Sequence, residues 1–410
     1  MDIKCRLKVM LFLQYFIWGC WLITLGAYMN KTLGFSGTEV GLVFSSKGMA
    51  AIFAPLIIGI IADKFIPAKY LYMLCHLIGA ISLFYAASVT DSQIMFLVML
   101  VNMMVFMPTI ALSNSISYIT LAKEKLDTVA VFPKIRVFGT VGFIIAMWII
   151  SLMKFELSKV QLYMASAASL VLVIYSATLP VVPLAKKPSQ SWITSLGLDA
   201  FVLFKKPTMA VFFLFAMLLG AVLQITNTFG GTFLRDFGSN PAYQDSLVVQ
   251  YSAILLSVSQ MAEIGFILVI PFFLQRFGIK KVMIISMLAW TLRFGLFAFG
   301  DPSPIGFGLL ILSMIVYGCA FDFFNISGSI FIEKEVSPTI RSSAQGLYMT
   351  IVNGIGAMIG AIVSGKVVDI FTHDGIKDWH TIWLIFAGYS LALAVVFCFT
   401  FHYKSNSNAI

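Results

Sequence analysis

Charge is what this sequence has least of. Only 11% of its 410 residues are Asp, Glu, Lys or Arg, against 60% hydrophobic, and no ordinary soluble domain has that composition. No long hydrophilic block interrupts the chain, so a separate soluble domain is excluded and the solvent for the fold is lipid. Acidic residues are scarcer than basic ones, 18 against 27, for a net charge of +9. In a soluble protein that surplus would point to nucleic acid; here the cations follow the connections between apolar runs, and nucleic acid is not expected as a partner.

Cysteine is also scarce. Cys5, Cys20, Cys75, Cys319 and Cys398 are odd in number and sit mostly inside apolar runs, without the pairing or spacing of a disulfide or zinc framework. They read as packing residues. The four histidines are scattered, and neither a Gly-x-x-x-x-Gly-Lys-Ser/Thr loop nor a His-Glu-x-x-His pair occurs. An enzyme would need its reactive residues on loops, and these loops are short. A non-enzymatic membrane protein without metal or organic cofactor is expected.

What is present is apolar length. Spans of about twenty residues are expected near 11–29, 40–62, 71–89, 94–116, 137–153 and 162–179, then near 210–229, 249–274, 282–299, 307–331, 342–365 and 382–401. The result is an all-α integral membrane protein of twelve transmembrane helices in two six-helix halves, 1–180 and 209–410, joined by a cytoplasmic linker at 181–208. Within the linker, Trp192, Leu196, Ala200 and Leu203 recur at helical spacing and predict a short amphipathic helix on the cytoplasmic membrane face. Taking alternate connections as cytoplasmic assigns about nineteen Lys or Arg to that side and about six to the other, which places both termini in the cytoplasm. The first run follows Lys4, Arg6 and Lys8 as a signal peptide would, yet it is too long and lacks a clear small-residue cleavage site, so it is expected to remain as a helix.

An ionisable group at the bilayer centre costs about 2.5 to 3.5 kcal/mol even on a lenient scale, so those inside apolar runs are informative. They are Lys47 in the second run, Arg136 at the start of the fifth, Glu263 in the eighth, Arg293 in the ninth and Asp322 in the tenth. Arg136, Thr140 and Phe143 fall at i, i+4 and i+7 and line one stripe that suits a polar planar ligand; alternatively, Arg136 snorkels to the nearby interface. Gln224 and Asn227 share an i, i+3 spacing, as do Gln260 and Glu263. Carboxamides donate and accept at once, which suits hydroxyls and ring heteroatoms of a sugar or base, although membrane helices also use them to bond one another.

The tenth run places Tyr317 and Phe321 one turn apart with Asp322 beside them. A carboxylate in that aromatic setting either exchanges a proton when a cavity opens or stands in a permanent pair with Arg136 or Arg293. For coupling to a proton gradient, Asp322 and Glu263 are the candidate carriers and Arg136 the candidate counter-charge. Lys47 has no acidic neighbour along its helix; it pairs with a carboxylate from another helix or contacts an electron-rich substrate group. His76 reads as a hydrogen-bonded packing residue.

Two resemblances narrow this reading. The turn Gly59-Ile60-Ile61-Ala62-Asp63-Lys64 with Lys69 resembles the loop signature of the major facilitator superfamily, with Ile66 in place of the usual second glycine. A second basic turn, Leu274-Gln275-Arg276-Phe277 with Lys281, parallels it, as duplicated halves would. Longer strings resemble the nucleoside:H+ symporter family: Phe12-Leu13-Gln14-Tyr15-Phe16-Ile17-Trp18-Gly19, Ile135-Arg136-Val137-Phe138-Gly139-Thr140-Val141-Gly142-Phe143, Leu223-Gln224-Ile225-Thr226-Asn227 and Tyr317-Gly318-Cys319-Ala320-Phe321-Asp322-Phe323-Phe324-Asn325-Ile326-Ser327-Gly328.

That family resemblance implies proton-coupled nucleoside uptake across a bacterial inner membrane by alternating access, with the site between the halves, xanthosine or other purine nucleosides among the substrates, and a monomer in membrane lipid. It implies ligand contacts at Arg136, Thr140, Phe143, Gln224, Asn227, Gln260, Glu263, Tyr317, Phe321 and Asp322. Phe143 and Phe321 would stack on the base, the amides and Glu263 would bind ribose hydroxyls or the base edge, and Asp322 would lead in proton coupling. Xanthosine loses a proton more readily than other purine nucleosides, so an ammonium at Lys47 near the base would favour it. A sugar:H+ symporter of the same superfamily is the alternative. A drug antiporter would usually carry a Gly-Pro kink in the fifth helix, and residues 139–153 contain no proline; a channel or receptor would need neither intramembrane carboxylates nor duplicated halves.

Overall fold

The computed structural model describes residues 2–181 and 198–403, with the side chains at 55–56, 59–60, 62–64, 129 and 198 outside the description. Trp192 and Leu196 of the expected linker helix lie outside the described residues, as do the side chains of Gly59, Asp63 and Lys64 in the signature turn. The chain divides into two compact units at residue 190. Both are helical, because a backbone in hydrocarbon must satisfy its own N–H and C=O groups. Among the described residues, eight helices are long and apolar enough to cross a membrane.

The first unit contains α1 (Ile3–Gly19), α2 (Gly37–Lys64), α3 (Ala68–Ala86), α4 (Ser92–Lys123), α5 (Thr128–Leu152) and α6 (Val160–Ser176). Ser36 and Glu39 form a reciprocal capping box on α2, and the Asp91 carboxylate accepts from the first N–H groups of α4, so polar side chains start both helices where apolar sequence begins. The structure corrects one boundary that bears on function. Because α5 begins at Thr128, Arg136 stands more than two turns inside it and not at its start. Apolar windows register only hydrocarbon thickness, whereas the helix itself runs on past that layer.

Close backbone approach holds α1 against α5: a Cβ added at Gly142 would fall 2.2 Å from the carbonyl oxygen of Phe12. On the far side of α1, neutral hydrogen bonds take over. The Gln14 amide donates to Thr109 Oγ1 at 2.8 Å, and its Oε1 accepts from Tyr72 Oη at 2.7 Å and from His76 Nε2 at 2.8 Å. One fully buried glutamine therefore ties α1 to α3 and α4, and His76 is the hydrogen-bonded packing residue expected of it.

The second unit contains α7 (Pro207–Asp236), α8 (Ser252–Phe299), α9 (Pro304–Glu335), α10 (Arg341–Thr350), α11 (Ala357–Ile370) and α12 (Trp379–Thr400). At 1.5 Å per residue an unbroken α8 would run about 72 Å, more than two bilayer cores. It breaks at Gly278, whose φ of 75° is open to glycine at little cost, and each arm is then close to one crossing. Before α7, Leu198–Lys205 forms a 3₁₀ helix with Ala200 and Leu203 buried. A two-stranded hairpin, Thr372–His373 with Ile376–Lys377, is tied to the end of α7 by Asp236, which accepts from Lys377 Nζ at 3.2 Å and from Trp379 Nε1 at 2.8 Å.

The duplicated basic turns acquire a physical role. Lys69 donates to the carbonyls of Ala177 and Leu179 at 2.7 and 2.6 Å, beyond the end of α6. Lys280 donates to Cys398 O at 2.9 Å near the end of α12. In each unit a lysine after a tight turn satisfies carbonyls that a helix C-terminus leaves open; the second unit uses Lys280, one residue before the expected Lys281.

Candidate functional site

In the first unit the expected stripe on α5 meets an aromatic face of α1. The Arg136 guanidinium carbon lies over the Tyr15 ring, 4.1 Å from its centroid, a cation resting on an aromatic face. Phe143 meets Trp18 edge-on at 6.3 Å. Trp18 also contacts Phe106 at 5.6 Å, and the Lys47 ammonium sits 5.5 Å from its ring. Lys47 is buried, 7% exposed, in a crevice shared with Trp21, Val43, Phe44 and Met103. Thr140 is half-buried on the same helix. Two cations are thus held on aromatic rings beside a buried Trp18 Nε1 that has no hydrogen-bond partner.

Sequence reasoning singled out Arg136, Phe143 and Lys47 but assigned no role to Tyr15 or Trp18, although both lie in the first family string. Their i, i+3 spacing on α1 is the signal that would have paired them with α5. Gln14 was detectable by the argument applied to Gln224, as an amide in an apolar run. Tyr72 left no signal, because a tyrosine in such a run is indistinguishable from a membrane-interface aromatic.

In the second unit the expected residues gather around Tyr317. Its hydroxyl shares a hydrogen bond with the Gln260 side chain, and Glu263, Arg293 and Asp322 lie within electrostatic reach of it. Phe321 stacks on the Tyr317 ring at 5.7 Å and 9°. The approach of α8 to α9 makes this possible: a Cβ at Gly318 would lie 2.8 Å from the Ala262 carbonyl oxygen, and that glycine brings Gln260 and Glu263 alongside Tyr317. Asp322 is buried, 4% exposed, and its Oδ2 has no hydrogen-bond partner.

The alternative of a fixed Arg293–Asp322 pair is not what the side chains adopt. Arg293 donates instead to the Ser313 carbonyl at 2.8 Å and to Ser259 Oγ at 3.4 Å. Gln224 is buried on α7 with its amide donating to Thr228 Oγ1 at 3.2 Å, and Asn227 is half-buried one turn on. Chemically, this unit offers neutral donors and acceptors, a stacked aromatic pair, and two carboxylates and a buried cation that each lie within electrostatic reach of Tyr317.

A family model described as nucleoside H+ symporter matches residues 1–406. The xanthosine permease of Escherichia coli K12 is 67% identical over 411 residues, covering 100% of this chain and 98% of that protein. The nucleoside permease NupG of the same organism is 58% identical over 405 residues, 98% of this chain and 97% of that one. A crystal structure of nucleoside transporter NupG superposes with a TM-score of 0.94 at 57% identity, covering 98% of this chain and all of its partner.

Proposed function

The chain belongs to the nucleoside H+ symporter family, and from that premise we propose how its residues divide the work of proton-coupled nucleoside uptake. The observation that carries the reading is the Tyr317 cluster: an amide and a stacked aromatic pair able to bind a nucleoside lie within electrostatic reach of two carboxylates able to bind a proton. A solute and a proton bound this close interact electrostatically, which is the requirement for coupling their movement.

In this reading Phe143 and Phe321 stack on the base. Thr140, Gln224, Asn227, Gln260 and Tyr317 bond its polar edge and the ribose hydroxyls, and Arg136 supplies positive charge toward the ligand. Glu263 accepts ribose hydroxyls while Asp322 leads proton exchange. The cycle uses the proton as coupling ion and no other cofactor. The chain spans a bacterial inner membrane as twelve helices in two six-helix halves of major facilitator type, as a monomer with both termini in the cytoplasm. The likeness to NupG and the shared basic turns support that topology.

Uptake of radiolabelled nucleosides into vesicles, with and without an imposed proton gradient, tests the proposal. Accumulation above equilibrium only with the gradient is expected. Downhill equilibration that ignores the gradient would overturn symport, and transport of a sugar with failure of every nucleoside would overturn the substrate class. Lys47 has its own test: its ammonium beside Trp18 is proposed to favour xanthosine, so Lys47→Leu should reduce xanthosine uptake about fivefold relative to uridine, the size of a modest polar contact. An unchanged ratio removes Lys47 from selectivity.

A further inference from the structure

The helical stretch that follows α9 is made in three pieces. α10 (Arg341–Thr350) and α11 (Ala357–Ile370) are joined by Ile351–Gly356, six residues that wind as a π-helix. Such segments are rare, and they are among the few places where a helix kinks sharply. The pieces on either side are fastened to different neighbours. α11 lies backbone to backbone on α7: a Cβ added at Gly360 would strike the Ala221 carbonyl oxygen, and one added at Gly220 would strike that of Val352 in the π segment.

α10 is fastened instead to α9, and by side chains. Ser329 Oγ donates to Gln345 Oε1 at 3.0 Å while Gln345 Nε2 donates to the Ser329 carbonyl at 2.8 Å. Arg341 pairs with Glu333 at 2.7 Å, and the Tyr348 hydroxyl stands 3.3 Å from Asn325 Oδ1, within reach to donate. Toward α7, α10 offers a ring: Tyr348 stacks on Phe212 at 5.3 Å. Phe324 and Phe331 of α9 pack on that same Phe212, so both helices ride on one aromatic surface, and ring contacts can slide without losing a hydrogen bond. The α9 residues that hold α10, Asn325, Ser329 and Glu333, follow Tyr317 and Phe321 at steps of four. Side chains four apart form one ridge along a helix. The ridge that carries the Tyr317–Phe321 stack is therefore the ridge that grips α10.

We propose that α10 moves with α9 as one body and turns on the π segment while α11 stays on α7, with Gln345 the positioning residue that passes a change at the Tyr317–Phe321 stack to the Arg341 end of α10. Directional bonds on one side and a backbone contact on the other leave Ile351–Gly356 to absorb the change in φ and ψ. This rests on the reading that Tyr317 and Phe321 bind the nucleoside.

The test uses the full transporter in lipid nanodiscs, with Cys5→Ser, Cys319→Ser and Cys398→Ser removing the thiols that are not buried. Nitroxide labels go to exposed positions by Ser342→Cys on α10, Ile305→Cys at the start of α9 and Ile370→Cys at the end of α11, and distances are read by electron–electron double resonance. Saturating xanthosine should shift the 342–370 distance and leave 305–342 in place. Two unchanged distances, as rigid motion of the unit would give, overturn the hinge, and a shifted 305–342 distance overturns the tie to α9. In proteoliposomes, Gln345→Leu should cut the maximal uptake rate about fivefold at unchanged KM, the scale of the lost hydrogen bonds, with monodispersity in detergent as the check on folding. An unaltered maximal rate, with or without a raised KM, overturns the positioning role; should Gln345→Leu fail to fold, the milder Ser329→Ala is read in the same way. Failure of the underlying reading looks different, because Phe321→Ala would then bind xanthosine as tightly as wild type in isothermal titration, whereas failure of the hinge alone leaves that variant weakened.

Discussion

The two units solve the same problem, polar groups inside lipid, in different ways. In the first, Gln14 joins Tyr72, His76 and Thr109 in neutral hydrogen bonds, and the cations Arg136 and Lys47 lie on aromatic rings. In the second, a cation lies against one tyrosine with two carboxylates in electrostatic reach of it, and both Arg293 Nε and Asp322 Oδ2 are buried without a hydrogen-bond partner. A neutral network satisfied at each end has one preferred arrangement. A cluster of ionisable groups with unused donors and acceptors has more than one arrangement open to it. The first unit rests its cations on rings, and the second gathers ionisable groups around one ring hydroxyl.

The sharpest way to break this contrast is to remove the titrating group. Asp322→Asn should abolish concentrative uptake while ligand binding, read by isothermal titration, stays measurable; gradient-driven uptake at wild-type level would place the coupling elsewhere. Next in size, Arg136→Gln should raise KM for nucleosides about tenfold, the scale of one lost charged contact. Arg136→Lys should fall between, since an ammonium keeps the charge over Tyr15 without the forked donors of a guanidinium.

The first unit's lock predicts a different readout. Gln14→Leu strands the Tyr72 and His76 donors and should lower stability by about 2–3 kcal/mol, seen as a lower melting temperature in detergent, with the pH midpoint of uptake unmoved. A shifted midpoint would mean that the two units are not divided as described. The smallest effect lies at the polar start of α2. There the Ser92 hydroxyl and the Ser36 N–H hold the Glu39 carboxyl below the usual carboxylate range, so its stabilisation is present at neutral pH and fades as pH falls through that lowered range. Glu39→Gln should slightly lower the melting temperature at pH 7, and the gap should close under acid conditions.

Much of this protein is readable in its residues. Hydrophobic length marks where helices run, because every span must bury its backbone in the same thickness of lipid. Arg136, Glu263, Arg293 and Asp322 announce themselves because charge in hydrocarbon is costly, whatever the fold. Helix ends were less legible: Arg136 looked terminal because apolar windows stop at the membrane boundary, while α5 does not.

Composition and periodicity by themselves determined that this is a helical membrane protein with a few intramembrane charges in two sets, and the family strings added the nucleoside and the proton. Only tertiary structure decided the company those charges keep: Tyr15 under Arg136, Trp18 beside Lys47, and Arg293 clasped against Tyr317 instead of paired with Asp322. The reason is geometric. The energy of a buried charge depends on groups within a few ångströms, and those come from helices distant in sequence, brought close where Gly142 and Gly318 let backbones meet.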